Sequence, residues 1–315
     1  MGDEVVTRDG ALIRRFRDGF QDGYTPITEE GERGLETGMD FGIHVQPGGS
    51  SIDECHAKES VWVLLDGRAT LVFGGQEEVV ARASLFDEPP SALHLGPNTR
   101  VRIHAESPRV EWAVARATNP RSFAARLFLP HEIEPEYRGL GLAQGACLRN
   151  VRLIFDRHVR PAANIVIGEV INYPGRWSSY PPHHHAQPEI YHYRFTRPQG
   201  YGHGEVGERV YKVRQYDTLR IPGMHDHAQV AAPGYGMYYL WIVRHLENDP
   251  YVGFEFSEDH QWILDEDASA WEPSHEPWPG RTLQAGGRSG PPKRASTDSE
   301  SAQERCSGME SEPGS

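Results

Sequence analysis

Residues 177–195 read WSSYPPHHHAQPEIYHYRF, and this stretch decides the fold class and points to the chemistry. Side chains alternate faces along an extended strand, so His183 and His185 share one face and His184 takes the other. Pro188 breaks the run, and Glu189 opens a second strand on whose parity Tyr191 and Tyr193 follow. A His-x-His ending one strand and a Glu beginning its antiparallel neighbour would bring two imidazoles and a carboxylate together. That mixed nitrogen and oxygen set suits a borderline divalent cation. A further ligand must come from another strand, and DTLRIPGMHDHAQV, residues 217–230, offers His225 and His227 just after a Pro-Gly turn.

Outward from this stretch the chain keeps the same punctuation. RNVRLIF, NIVIGEVINY and GMYYLWIVR read as further strands of a block from about 150 to 245. An earlier block, 40–115, contains VWVLLDGRATLVFGG, with a hairpin signal at Asp66-Gly67 and another turn at Gly74-Gly75. VRIHAESPRVEWAVARA adds two strands broken at Ser107-Pro108. Many short strands, frequent Gly/Pro turns and almost no helical period imply an all-β barrel or sandwich. Two blocks of similar length suggest a duplicated unit. The expected organisation is an N-terminal barrel over 1–120, a connection over 121–149, a second barrel over 150–272, and a disordered Gly/Ser/Pro-rich tail over 278–315.

Composition narrows the function classes. Of 315 residues, 32 are Lys or Arg and 45 are Asp or Glu, a net charge of -13 that argues against a nucleic-acid or anionic-membrane surface. No stretch approaches the roughly 18 uncharged apolar residues of a membrane span, and the N-terminus MGDEVVTRDG is unlike a signal peptide. Cys55, Cys147 and Cys306 are too scattered to frame disulfides or a metal site. A cytoplasmic protein without nucleic-acid or membrane partners is expected, and a homo-oligomer.

His-x-His-x3-Glu followed by Pro-x4-His resembles the paired motifs of the cupin superfamily, double-sheet jelly rolls with a metal inside the barrel. That spacing selects His227, five after Pro222; His225 shares its strand face, so geometry alone leaves both open. WSSYPPHHH, EIYHYRFTRPQGYG and AAPGYGMYYL together resemble the 5-deoxy-glucuronate isomerases of myo-inositol catabolism, relatives of the 4-deoxy-5-keto-uronate ketol-isomerases of pectin breakdown. The resemblance covers most of 40–265. It implies a bicupin fold and conversion of an aldehyde sugar acid to its 2-ketose. The implied metal ligands are His183, His185, Glu189 and His227, with zinc favoured over manganese or iron. The re-entry Pro-Gly-Met-His-Asp-His is one residue longer than the family's pattern.

Other positions follow from parity and from the family blocks. Tyr193 and Tyr239 are the candidate catalytic groups, and Tyr191, Arg194 and Gln199 the candidate substrate contacts. Parity nevertheless turns Arg194 outward, and aromatic packing accounts equally well for Tyr191. Arg194, Lys212 and Arg244 are available for a substrate carboxylate. In the N-terminal half, DECHAKESVWV has no His-x-His, and the position five after Pro97 is Arg102. That half is therefore expected to hold no metal. Two rival readings are an iron-dependent cupin dioxygenase and a non-enzymatic bicupin that binds a sugar acid.

Overall fold

The computed structural model describes residues 5–271 and Ser274; the tail expected to be disordered, and Cys306 with it, lies outside the described residues. The chain is built from short strands and a few 3-10 turns, gathered into two barrels. In the second barrel a seven-stranded sheet contains Glu189–Phe195 flanked by Thr218–Ile221 and Met237–Arg244. A five-stranded sheet containing Trp177–His184 and His227–Ala231 faces it. The first barrel is organised around one long strand, Glu59–Phe73.

That strand corrects one local expectation. Asp66-Gly67 is not a hairpin. The strand runs on through it, shifting register between Leu64 and Asp66. Before the corner it pairs with Ala92–Leu95 and Arg109–Ala117; after it, with Gln76–Arg82 and Thr99–Ala105. Gly67 sits at φ +101°, and a Cβ there would come within 2.5 Å of the Arg109 carbonyl oxygen, so glycine turns the corner of the barrel. The true hairpin is at Gly74-Gly75, both at positive φ, with Phe73 opposite Gln76.

The domain boundaries also differ from the sequence expectation. Leu12–Ile13 pairs with Thr218–Ile221, so the beginning of the chain extends the second barrel's sheet. Within the connection, Arg126–Phe128 joins the first barrel and Glu136–Arg138 the second.

Alternation explains how the two barrels become one body. Ile165–Asn172 and Glu189–Phe195 are buried at every residue, although each strand alternates its faces. Tyr191, Tyr193 and Phe195 fill the second barrel. The first barrel is filled by Trp62, Leu64, Trp112 and Val114. Residues of the opposite parity from both, among them Val61, Val63, Ala113, Ile167, Ile190 and Ile242, form a third core between the large sheets. Two charged groups are sealed into this seam. Glu169 accepts from Arg82 at 2.6 Å and from Arg152 at 2.9 Å, all three buried, which ties one barrel to the other. Arg194 pairs with Glu111 of the first barrel and lies over the Tyr216 ring, 4.4 Å from its centroid.

Removing one member of a buried ionic set leaves charge uncompensated in a low dielectric. Glu169→Gln should therefore lower unfolding stability by about 3–5 kcal/mol, measured by urea titration; an unchanged midpoint would show that the triad does not hold the seam. Burial also favours the neutral imidazole at His94 and His192 in the seam, at His183, brought down to about 3, and at His245, brought down to about 4. Unfolded histidine takes up its proton near pH 6.5, so between there and pH 4 the unfolded chain binds more protons. Stability should fall as the pH is lowered from 6.5 towards 4, by up to about 1.4 kcal/mol per pH unit for each such histidine. A flat profile across that window in the metal-free protein would contradict the burial argument.

Candidate metal centre

The His-x-His strand and the Glu strand are not ladder neighbours, as the sequence had suggested. They belong to facing sheets, and residues 185–188 cross from one to the other. Pro188 has no N–H to continue a ladder, and the link is too short to leave the barrel end. His183 instead stands directly opposite His227 in the five-stranded sheet, with ring centroids 4.4 Å apart. Glu189 starts its strand on the facing sheet, between Ile221 and Val243.

The result is a buried cluster. Oε2 of Glu189 lies 3.2 Å from Nε2 of His185 and 3.3 Å from Nε2 of His227. One ligand atom from each of these three residues falls within a 4.8 Å span. His183 does not join the set at that spacing; its ring packs between His227 and Phe254. Nδ1 of His227 donates to the His225 carbonyl at 3.0 Å, which leaves Nε2 with a lone pair on the Glu189 side. His225 is exposed, with its own ring bonded to Gly223, so the structure puts His227 and not His225 at the cluster. At the tip of the re-entry Met224 is exposed at φ +64°. His184 faces away and meets Asp226 at 2.7 Å.

The electrostatics suit a cation. Burial alone would raise the Glu189 carboxyl, but the hydrogen bond from His185 and the adjacent His227 ring outweigh it and bring the group to about 2. Burial, followed by the neighbouring His227, keeps His183 neutral at physiological pH. Nδ1 of His183, Nδ1 of His185 and Nε2 of His227 are buried without a hydrogen-bond partner among the described residues. Leaving such groups unsatisfied costs about 1–3 kcal/mol each. A carboxylate among unpaired imidazole nitrogens is a donor set that a divalent cation would satisfy.

A cavity of about 210 Å³ opens onto this cluster. Tyr191 and Tyr239 line it, stacked with centroids 4.7 Å apart, and Tyr239 donates to Ser178 Oγ at 3.0 Å. Burial raises the pKa of both phenols, so both stay protonated at neutral pH. Three expectations are corrected. Tyr193 points into the same barrel but does not line the cavity; its hydroxyl is committed to Gln229 Oε1 at 2.6 Å. Arg194 is outward by parity, yet outward means the inter-barrel seam, where Glu111 already occupies it. Gln199 lies in the exposed turn after Phe195, away from the cavity. Of the other basic candidates, Lys212 packs on the Tyr201 ring and Arg244 lines a different cavity.

The cavity's basic residues are Arg138 and Arg149, which sequence reading missed. Arg149 shares its parity on RNVRLIF with Val151 and Leu153, which also line the cavity, so alternation was the available signal. Tyr251 was missed too. Its ring stands edge-on to His185, 4.9 Å away, from an irregular segment with no strand period to reveal it.

The corresponding end of the first barrel contains cations held by carboxylates. Lys58 bonds Asp40 at 2.8 Å and Glu30 at 3.0 Å, and Arg116 bonds Glu54 at 2.8 Å. Arg102 is exposed and paired with Asp53, so it does not occupy the position assigned to it from the spacing after Pro97.

Two jelly-roll barrels with a buried His–Glu cluster in one of them define a cupin of the two-barrel kind. The chain belongs to the KduI/IolB family, whose model matches residues 12–263, and it is an isomerase of that family. It is 29% identical over 255 residues to the 5-deoxy-glucuronate isomerase of Geobacillus kaustophilus, covering 73% of this chain and 87% of that one. With the enzyme of the same name from Bacillus subtilis strain 168 it shares 26% identity over 242 residues, 71% of this chain and 86% of the relative. Among solved structures, an IolB-like protein from Salmonella typhimurium LT2 superposes with a TM-score of 0.70 at 24% identity, over 78% of this chain and 97% of that one. The oxalate decarboxylase of Lactobacillus farciminis shares the fold at a TM-score of 0.57 and 12% identity, over 75% and 85% of the two chains.

Metal analysis of purified variants tests the ligand assignment. His227→Ala should lose nearly all bound divalent metal with the fold retained, while His225→Ala and His184→Ala should keep it. Metal loss from His225→Ala with retention in His227→Ala would reverse the assignment.

Proposed function

We propose that this chain is a divalent-metal-dependent aldose–ketose isomerase that converts 5-deoxy-glucuronate to 5-dehydro-2-deoxy-gluconate in inositol catabolism. The observation that carries the reading is one cavity bearing the His–Glu cluster, three protonated phenols and a guanidinium without a carboxylate partner among the described residues. The names of the relatives point to the same substrate.

His183, His185, Glu189 and His227 would hold the ion; the set admits zinc, manganese or iron, and zinc is favoured by analogy with the related uronate isomerases. Bound there, a divalent cation supplies Lewis-acid stabilisation of the negative charge that develops on the sugar's C1 and C2 oxygens. Glu189, held ionised by its histidines, serves as an anionic ligand. Tyr239 and Tyr191 remain protonated, which suits them to hold a proton against a sugar oxygen and not to abstract one from carbon. Arg149 is the group for the substrate carboxylate. Arg138 is already paired with Glu136 at 2.7 Å, whereas among the described residues the Arg149 guanidinium donates only to the carbonyl oxygens of Cys147 and Tyr180. A carboxylate ligand would supply the charge that those carbonyls lack.

The test is incubation of the purified protein with 5-deoxy-glucuronate, with and without oxygen, followed by NMR of the sugar. The 2-keto product should appear under both conditions and be suppressed by a chelator. No product, or product only with oxygen, would sink the proposal. Arg149→Ala should raise KM tenfold or more with metal content unchanged, and Arg149→Lys should recover part of the loss. An unchanged KM would remove Arg149 from substrate binding.

A further inference from the structure

A second cavity, of about 480 Å³, lies apart from the His–Glu cluster, where the chain after Met237–Arg244 meets the connection between the barrels. The charged residues on its wall are Arg121, Arg157, Arg244 and Glu247, and His245 lines it as well. Three cations against one exposed carboxylate is an unusual balance in a chain with a net charge of -13.

The guanidiniums are hydrogen-bonded but not neutralised. Arg121 donates to the Asn164 side-chain oxygen at 2.6 Å and the Ala163 carbonyl at 3.1 Å. Arg244 donates to the carbonyls of His245 at 2.9 Å, Thr118 at 3.1 Å and Gly38 at 3.2 Å. These neutral oxygens satisfy N–H groups without cancelling charge. Arg157 is exposed, and among the described residues none of the three pairs with a carboxylate. The acids whose charge acts on Arg244 are engaged elsewhere: Glu59 with His94 and Asn119, Glu30 with Lys58 and Thr118.

His245 supplies the independent observation. It is 4% exposed, and its Nδ1 accepts the backbone N–H of Tyr251 at 2.9 Å. The neutral ring must then carry its proton on Nε2, and that atom is buried with no hydrogen-bond partner among the described residues. Burial first, and then Arg157, Arg244 and Arg121, hold the imidazole neutral, with Glu59 opposing. A buried donor without an acceptor, in a wall carrying three unneutralised guanidiniums, lacks an anion.

We propose that this cavity binds a phosphate group, with Arg121, Arg157 and Arg244 as its cationic wall and Nε2 of His245 as a neutral donor. Guanidinium groups match a tetrahedral dianion in charge and donor geometry. The volume exceeds what a bare phosphate fills, so the occupant is a small phosphate monoester.

Calorimetric titration of the full-length, metal-loaded protein at low ionic strength, with inorganic phosphate and with glycerol phosphate, tests this. One saturable site per chain is expected, with glycerol phosphate bound more tightly. Equal affinity for the two probes would support the anion site and overturn the ester assignment. Arg157→Glu, at an exposed residue whose change leaves the core alone, should weaken binding at least tenfold, and Arg121→Gln should also weaken it. Arg149→Ala, in the other cavity, should leave it unchanged. No saturable binding of either probe would overturn the proposal. So would binding that survives Arg157→Glu and disappears in Arg149→Ala, since the phosphate would then sit beside the His–Glu cluster.

Discussion

The structure depends on burying both faces of the two large sheets. An ordinary jelly roll buries one face of each strand and shows the other to water. Here Glu189–Phe195 and Ile165–Asn172 are covered on both sides, with one parity given to the barrel interior and the other to the neighbouring barrel. The strand that carries Glu189 therefore cannot shift by one residue. A slip would move Glu189 into the seam and Arg194 into the barrel, stranding a charge on each side. The ionic set of Arg82, Glu169 and Arg152 adds a geometric constraint to the apolar contact, because only one docking of the barrels satisfies it.

The site inherits that rigidity. Glu189 is fixed from the seven-stranded sheet, His183 and His227 from the facing one, and His185 from the crossing between them. Three buried nitrogens without partners mean that the fold tolerates an electrostatic cost at one end of one barrel, as sites assembled for a ligand do. The corresponding end of the first barrel resolves the same problem internally, with Lys58 and Arg116 held by carboxylates. One architecture thus carries two different solutions to charge at a barrel mouth.

Reading the sequence went furthest where period 2 and side-chain chemistry coincided. His183, His185 and Glu189 stand close in sequence, and alternation alone assigns their faces and that of His184. Alternation could not say what lay on the far side of a strand. Arg194 was correctly turned outward, but outward proved to be another barrel and not solvent. It could not separate a hairpin from a barrel corner at Gly67 either, because a positive φ serves both. Tyr193 has the parity of Tyr191 yet does not line the cavity, its hydroxyl being held by Gln229, and alternation carries no trace of that difference.

The sequence by itself determined the strand pattern, the two-block organisation and the cluster of histidines with its glutamate, because local geometry and residue chemistry suffice for these. Only the tertiary structure decided which strands face each other and which pair. It also decided that His227 and not His225 completes the cluster, and that Arg149 shares its cavity. Those outcomes depend on how distant strands are brought together, and that is settled by which faces must be buried against which.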